Sequence, residues 1–355
     1  MEGIGKRDGM KKLRAPFPFF GGKSLIAREV WSRLGDVANY VEPFAGSLAV
    51  LMARRHALGT ETVNDRDGMI SNFWRAVAAD AAGVARYADW PVNENDLHAR
   101  HMWLVERKDS LQAALEGDPE YYDVKIAGWW CWGICCWIGG GFCSGRGPWK
   151  IVDGLLVRRE DAGRGVRRQL PHLGNAGQGV TRKRLQLSGL CSPAKGAANK
   201  EGDSLREWME ALSERLRRVR VCCGDWSRVM GPAVTFGHGL TGIFLDPPYG
   251  GGAGRDNEIY RVESKTVAQD VMEWGIANGG NALLRIAICG YEGEREMPGD
   301  WEWLAWKSRG GYGSRSQGRG RENSKRERIW FSPGCVKAKR ERELTLWSEI
   351  APDLE

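Results

Sequence analysis

Apolar positions recur at helical spacing over Ser24 to Leu34, give way to a short strand at Tyr40 to Pro43, and return to helical spacing over Ser47 to His56. A second strand at Glu61 to Val63 and a helix through Asp67 to Ala79 follow. This βαβα opening predicts a mostly parallel sheet, whose ligands lie beyond the carboxyl ends of its strands. The same rhythm resumes late, with a helix at Ser204 to Arg218 and strands at Val219 to Cys222, Gly242 to Leu245, Leu283 to Cys289, Trp301 to Lys307 and Arg328 to Ser332. Both ends of the chain are therefore expected to build one α/β sheet with helices on its two faces.

Between them the pattern changes. Helical stretches around Asp96 to Leu115 and Tyr122 to Ile138 give way to a Gly- and Arg-rich stretch with few apolar runs. The expected organisation is an amino-terminal part of the core at 1–79, an inserted helical and loop-rich region at 80–203, a carboxy-terminal part of the core at 204–335 and a charged tail at 336–355. The Gly/Arg/Ser tract Ser308 to Ser324 reads as a loop of the core. With 355 residues, 42% of them hydrophobic, the chain is long and apolar enough for a large core carrying a second lobe. No run approaches the roughly 18 consecutive apolar residues of a membrane span. Met1 to Arg14 is polar and basic with no apolar signal segment behind it, so a cytoplasmic protein without membrane attachment is expected. The nine cysteines are odd in number and scattered, and read as reduced thiols.

The net charge of +7 is unevenly placed. Arg146 to Arg220 holds 17 basic and 8 acidic residues and Lys307 to Arg340 holds 11 and 2, while the rest of the chain is net acidic. Two basic segments on an acidic chain suit either contact with a polyanion, favoured by counterion release, or a solvated surface; charge alone does not choose.

The sharpest chemical signal is Asp246-Pro247-Pro248-Tyr249, directly after the apolar strand Gly242 to Leu245. By average residue usage a given tetrapeptide falls in only about one in several hundred chains of this length. A proline-rich ligand for a partner would not run straight out of a buried strand. At the carboxyl edge of a sheet, two prolines stiffen the loop and hold a carboxylate, a backbone carbonyl and an aromatic face in fixed relation. Such a corner suits a planar amine. The exocyclic amine of adenine is a poor nucleophile because its lone pair is delocalised into the ring. Asp246 and the Pro247 carbonyl could accept its two hydrogens and turn the lone pair toward an electrophilic methyl, with Tyr249 stacked on the ring.

A second constellation lies near the amino terminus. Tyr40-Val41-Glu42-Pro43-Phe44-Ala45-Gly46-Ser47 is a strand, a small-residue turn and a helix start, where backbone can approach a cofactor closely. Asp65 lies 19 residues past Gly46 at the end of the second strand, placed either to take ribose hydroxyls or to cap the helix from Asp67. Upstream, Phe17-Pro18-Phe19-Phe20-Gly21-Gly22-Lys23 adds aromatics, two glycines and a cation suited to a carboxylate.

FFGGK, VEPFAGS, VND, CGDW and LDPPY, in this order, resemble the Dam-type (alpha-group) N6-adenine DNA methyltransferases, over about two-thirds of the chain. The resemblance implies an S-adenosylmethionine-dependent, Rossmann-like methyltransferase acting on double-stranded DNA with its adenine flipped out. It assigns Phe19, Gly22 and Lys23 to an amino-terminal cofactor motif, Glu42, Pro43, Phe44 and Gly46 to the first cofactor motif and Asp65 to the ribose. Asp225, with Trp226 beside it, falls to the cofactor adenine, and Asp246, Pro247, Pro248 and Tyr249 to catalysis. It also implies target recognition between the second motif and the catalytic one, where the first basic segment falls. Many relatives have a second glycine where this chain has Ser47-Leu48. A monomer is expected, and no restriction endonuclease partner is specified.

Within the insertion, Arg167, Arg168, Asn175, Arg182, Lys183 and Arg184 lie among glycines and suit phosphate and base-edge contacts, Arg with guanine and Asn with adenine. His172 is equally suited to fixing the loop. Trp129-Trp130-Cys131-Trp132-Gly133-Ile134-Cys135-Cys136-Trp137-Ile138 admits a base-stacking surface or a zinc site. Its cysteine spacing matches no zinc pattern, no metal is expected, and a helix packed on the core is the favoured reading. Cytosine N4 or an RNA adenine offers the same amine geometry, and a DNA-binding protein on an inactive scaffold is a third alternative. Cytosine C5 chemistry needs a cysteine nucleophile, and no Pro-Cys pair occurs.

Overall fold

The computed structural model describes residues 13–19, 22–54, 59–137, 142–143, 149–152, 155–158, 201–248, 266–293, 295–306 and 327–338. Along the chain these form α1 (Ala27–Leu34), β1 (Asn39–Glu42), α2 (Ala49–Met52), β2 (Thr60–Asp65), α3 (Gly68–Ala79), α4 (Ala81–Ala88), α5 (Glu94–Glu106), α6 (Lys108–Gly117), α7 (Val124–Cys136), β3 (Trp149–Val152), β4 (Leu155–Arg158), α8 (Glu201–Leu216), β5 (Val219–Cys223), β6 (Thr241–Leu245), α9 (Val267–Asn278), β7 (Leu284–Tyr291), β8 (Glu302–Ala305) and β9 (Glu327–Phe331).

Seven strands make one sheet in the order β5-β2-β1-β6-β7-β9-β8. The first five run parallel, and β9 enters antiparallel between β7 and β8. The amino-terminal strands thus sit among the late ones, and the two ends of the chain close a single mixed sheet, as the recurring βα rhythm predicts. Strand alternation divides the burial between two faces. Tyr40, Phe244, Ala287 and Cys289 point into the larger core, while Val41, Ile243, Leu245, Ile286 and Ile288 point into a second core closed by Val267 and Val271 of α9.

Short polar side chains start the helices. Asp67, Asp80, Asn93 and Asp123 each accept a backbone N–H in the first turn of α3, α4, α5 and α7, a cap worth about 1 kcal/mol. The α3 cap is thus Asp67, not Asp65. α8 buries Leu205, Trp208, Met209, Leu212 and Leu216, a helical stripe packed on α3 and α4. The Trp/Cys-rich segment is α7, whose Trp130, Cys131 and Trp132 are buried against α3 and α4, with Trp130 edge-on to Phe17 at 4.9 Å. It is the core helix that its spacing favours. α2 covers only four residues of the helical spacing read over Ser47 to His56.

Candidate active site

Every motif from the sequence that lies among the described residues, from the turn after β1 to the corner after β6, falls on one edge of the sheet, at the carboxyl ends of the parallel strands. The loops leaving those strands are tied to one another. Asn64, at the end of β2 and fully buried, donates from Nδ2 to the Pro43 carbonyl (3.1 Å) and to the Gly224 carbonyl (3.0 Å). The Gly224 N–H in turn donates to the Asp65 carbonyl at 3.1 Å. Three loops, after β1, β2 and β5, are therefore clamped by one carboxamide. A polar residue ending a buried strand is the sequence signal for such a clamp, although composition alone does not separate it from a solvated position.

Asp65 works on the same edge. Its Oδ2 accepts the Gly46 N–H at 2.9 Å and its Oδ1 the Asp67 N–H at 2.8 Å, so the carboxylate orders the turn after β1 from the neighbouring strand. Gly46 has φ +46, and a Cβ there would lie 2.6 Å from the Phe19 ring. The turn is therefore a left-handed cradle closed by an aromatic residue from the amino-terminal segment, which only glycine fills without displacement. The Trp74 indole donates to the Gly46 carbonyl at 2.9 Å. Leu48, in the Ser47-Leu48 pair, also has a left-handed backbone (φ 52, ψ 30), and its side chain is completely buried in the larger core. A leucine in this left-handed conformation carries backbone strain.

Glu42 is 2% exposed. Its Oε2 accepts the Tyr40 hydroxyl at 2.9 Å and the Leu51 N–H at 3.3 Å, which ties β1 to α2. Burial pushes its carboxyl up to about 8, against the pull of the Tyr40 hydrogen bond. The carboxyl is thus a core group under the turn. Pro43 is buried above it, while Phe44 is half-buried and stacks with Trp226 at 6.4 Å and 25°. Asp225 is exposed after β5. Its Oδ1 accepts both the N–H (3.0 Å) and the hydroxyl (2.6 Å) of Ser227, starting a short 3-10 turn at Trp226–Val229.

Asp246 stands where β6 ends. The Lys23 ammonium lies 2.6 Å from its Oδ2, with the lysine side chain 5% and the aspartate 22% exposed. Lys23 comes from the short 3-10 turn Lys23–Leu25, four residues after Phe19, and follows Gly22. The amino-terminal cation and the Asp-Pro-Pro corner, 223 positions apart in sequence, thus form one ion pair. The β6/β7 register sets Leu245 beside Ile288, so Cys289 stands next to Asp246 on the same side of the sheet. Burial and the Asp246 carboxylate hold the Cys289 thiol far up, so it is a neutral neighbour and not a nucleophile. The Lys23 ammonium also lies 5.1 Å from the centroid of the Trp306 ring. Neither Cys289 nor Trp306 stands out in the sequence, because each is an apolar strand position until the register is known.

Phe19, Gly22, Lys23, Glu42, Pro43, Phe44, Gly46, Asp65, Asp225, Trp226, Asp246, Pro247 and Pro248 are thus distributed along one sheet edge. Tyr249 and the candidate DNA contacts Arg167, Arg168, Asn175, Arg182, Lys183 and Arg184 lie outside the described residues, as does His172. Among the described residues no cluster of three or more His, Cys, Asp or Glu could hold a metal, and no helix is long and apolar enough to cross a membrane.

Residues 19–124 match the family model of the D12 class N6 adenine-specific DNA methyltransferases. The match runs from Phe19 through the Gly46 turn and Asp65 to the start of α7, and Asp225 and Asp246 lie beyond it. No curated protein matches the chain.

Proposed function

We propose that this chain, whose residues 19–124 carry the D12 class N6 adenine-specific DNA methyltransferase signature, transfers a methyl group to the N6 amine of adenine in double-stranded DNA. The observation that carries the reading is the Lys23–Asp246 ion pair. It joins a residue inside the matched segment to the Asp-Pro-Pro corner outside it, and so makes the two motif groups one site.

The methyl donor of this family is S-adenosylmethionine, whose sulfonium supplies the electrophilic methyl. The residues at the edge suit that group. The Gly46 turn, where a Cβ would strike the Phe19 ring, keeps a left-handed backbone packed under that aromatic residue, and Asp65 and Asp225 offer carboxylates at adjacent strand ends to hydroxyl and amine donors. The stacked faces of Phe44, in the turn after β1, and Trp226, next to Asp225, stand at the same edge. Glu42 acts indirectly, through the turn that it anchors to α2.

At the corner, Asp246 accepts one hydrogen of the amine and the Pro247 carbonyl the other, which localises the nitrogen lone pair toward the donor. Proline rings on either side of the second peptide keep that carbonyl in place. Adenine reaches the corner only out of the helix stack, at a cost of a few kcal/mol offset by stacking and hydrogen bonds in the pocket. The basic segments Arg146 to Arg220 and Lys307 to Arg340 supply the phosphate contacts.

Purified protein is expected to transfer labelled methyl from S-adenosylmethionine to double-stranded DNA, and digestion of that DNA to yield N6-methyladenine. Asp246→Ala should abolish transfer while S-adenosylmethionine affinity stays within about threefold. Label recovered as N4-methylcytosine, or an Asp246→Ala variant as active as the unmodified chain, would refute the assignment.

A further inference from the structure

Lys23 and Asp246 meet in a confined place. Lys23 is 4% exposed, and its ammonium rests 5.1 Å from the centroid of Trp306, which is itself 8% exposed. Trp306 follows directly on β8, and its backbone N–H donates to the Glu327 carbonyl at 3.3 Å, so the sheet's antiparallel edge fixes the indole. Lysine brings a flexible four-carbon stem with no preferred donor geometry, and holding it in one pose costs rotamer entropy. An aromatic face under a desolvated ammonium offsets that cost by electrostatic attraction to the ring. The indole Nε1 has no hydrogen-bond partner among the described residues, so the ring's face, not its N–H, makes the contact that matters here.

We propose that Trp306 is a positioning residue, whose indole face holds the Lys23 ammonium against Asp246 and so keeps that carboxylate oriented for the amine of the target base. The inference rests on the reading of Asp246 as the acceptor of the adenine amine. It adds to the site a residue from the far edge of the sheet, 60 positions beyond the catalytic corner and outside the family match. Without the ring, the stem of Lys23 samples other rotamers, the carboxylate swings with it, and the amine meets its acceptor in the right pose less often.

The test uses the full chain and four variants: Trp306→Phe, Trp306→Leu, Lys23→Met and the double variant Lys23→Met/Trp306→Leu. Trp306→Phe keeps a face and loses no hydrogen bond, and should retain kcat for methyl transfer within about threefold. Trp306→Leu should lower kcat about tenfold, the size expected of a desolvated cation–π contact, with KM for S-adenosylmethionine changed by less than about twofold. In the Lys23→Met background the same leucine substitution should change kcat by less than about twofold, because the contact it removes is already gone. The same tenfold loss in both backgrounds would overturn the proposal, as would a Trp306→Phe variant as impaired as Trp306→Leu. Independently of turnover, the Lys23 ε-methylene resonances should be shifted upfield by the indole ring current, and the shift should shrink in Trp306→Phe. An unshifted Lys23 in an active chain overturns the role of Trp306. A shifted Lys23 in a chain that transfers no methyl overturns the functional reading instead.

Discussion

Glu42 makes the stability of this protein depend on pH in a way that a single substitution isolates. Its carboxyl is 2% exposed and is pushed by burial from the ordinary 4.5 up to about 8. Below 4.5 it is protonated whether the chain is folded or unfolded, and it contributes no pH dependence. Between 4.5 and about 8 the unfolded chain releases the proton while the folded chain keeps it, so stability is lost as pH rises. Above 8 both states are ionised and the loss is complete. At about 1.4 kcal/mol per unit, the loss comes to roughly 3 kcal/mol at pH 7 and roughly 5 kcal/mol across the whole window. Glu42→Gln is the perturbation that removes this and little else. The amide oxygen can take the place of Oε2 and accept from the Tyr40 hydroxyl and the Leu51 N–H as before. Urea unfolding of both proteins at pH 5, 6, 7, 8 and 9 should show the glutamine variant gaining about 1.4 kcal/mol per pH unit over the unmodified chain up to pH 8, then no more. Titrating groups that do not couple to Glu42 cancel in the difference. Two stability curves that run parallel from pH 5 to 8 would refute the claim that Glu42 is a neutral core carboxyl at physiological pH.

Three further outcomes follow from the same geometry. Gly46→Ala should cost about 1 kcal/mol for the left-handed backbone and must also displace the Phe19 ring, so S-adenosylmethionine affinity, read by calorimetry, should fall tenfold or more; unchanged affinity would show that the cradle is not used. Leu48→Gly relieves roughly 1 kcal/mol of backbone strain but empties a fully buried leucine site worth about 3 kcal/mol, and the net should be a variant about 2 kcal/mol less stable by urea unfolding; a more stable variant would contradict the packing assigned to Leu48. DNA affinity measured between 50 and 200 mM salt should fall steeply, with a log–log slope of several units, and a flat response would remove the two basic segments from the interface.

Much of this arrangement is legible in the sequence, because the signals are local. Short, near-continuous apolar runs mark β1, β6 and β7, central strands buried on both faces, and the Asp-Pro-Pro corner announces itself by following a strand. The turn at Gly46 and the acid at Asp65 are read from their spacing along a βαβ unit, and the structure ties them by one hydrogen bond. Asp65 shows the limit of that reading. From sequence it could cap α3 or face a ribose, but Asp67 is two residues nearer the helix and takes the cap, while Asp65 is held by the Gly46 and Asp67 N–H groups. Spacing proposes both carboxylates, and only the backbone path distinguishes them.

What the sequence does not disclose is everything made by sheet order. Strand pairing sets the early β1 and β2 between β5 and β6, and the fold brings Lys23 to Asp246, Trp306 to Lys23 and Cys289 to Asp246. Trp306 and Cys289 carry bland local signals, a tryptophan just after a strand and a cysteine on an apolar one, and Lys23 is marked by its motif but not by its partner. Their chemistry arises from the neighbours that the topology supplies. A lysine read in isolation as a partner for a cofactor carboxylate is found, once β6 is set beside β1 with its carboxyl end at the same edge, paired with the Asp246 carboxylate. The same cation serves both assignments only if it moves between them, and under the positioning role proposed for Trp306 the indole face, 5.1 Å from the ammonium, limits that motion.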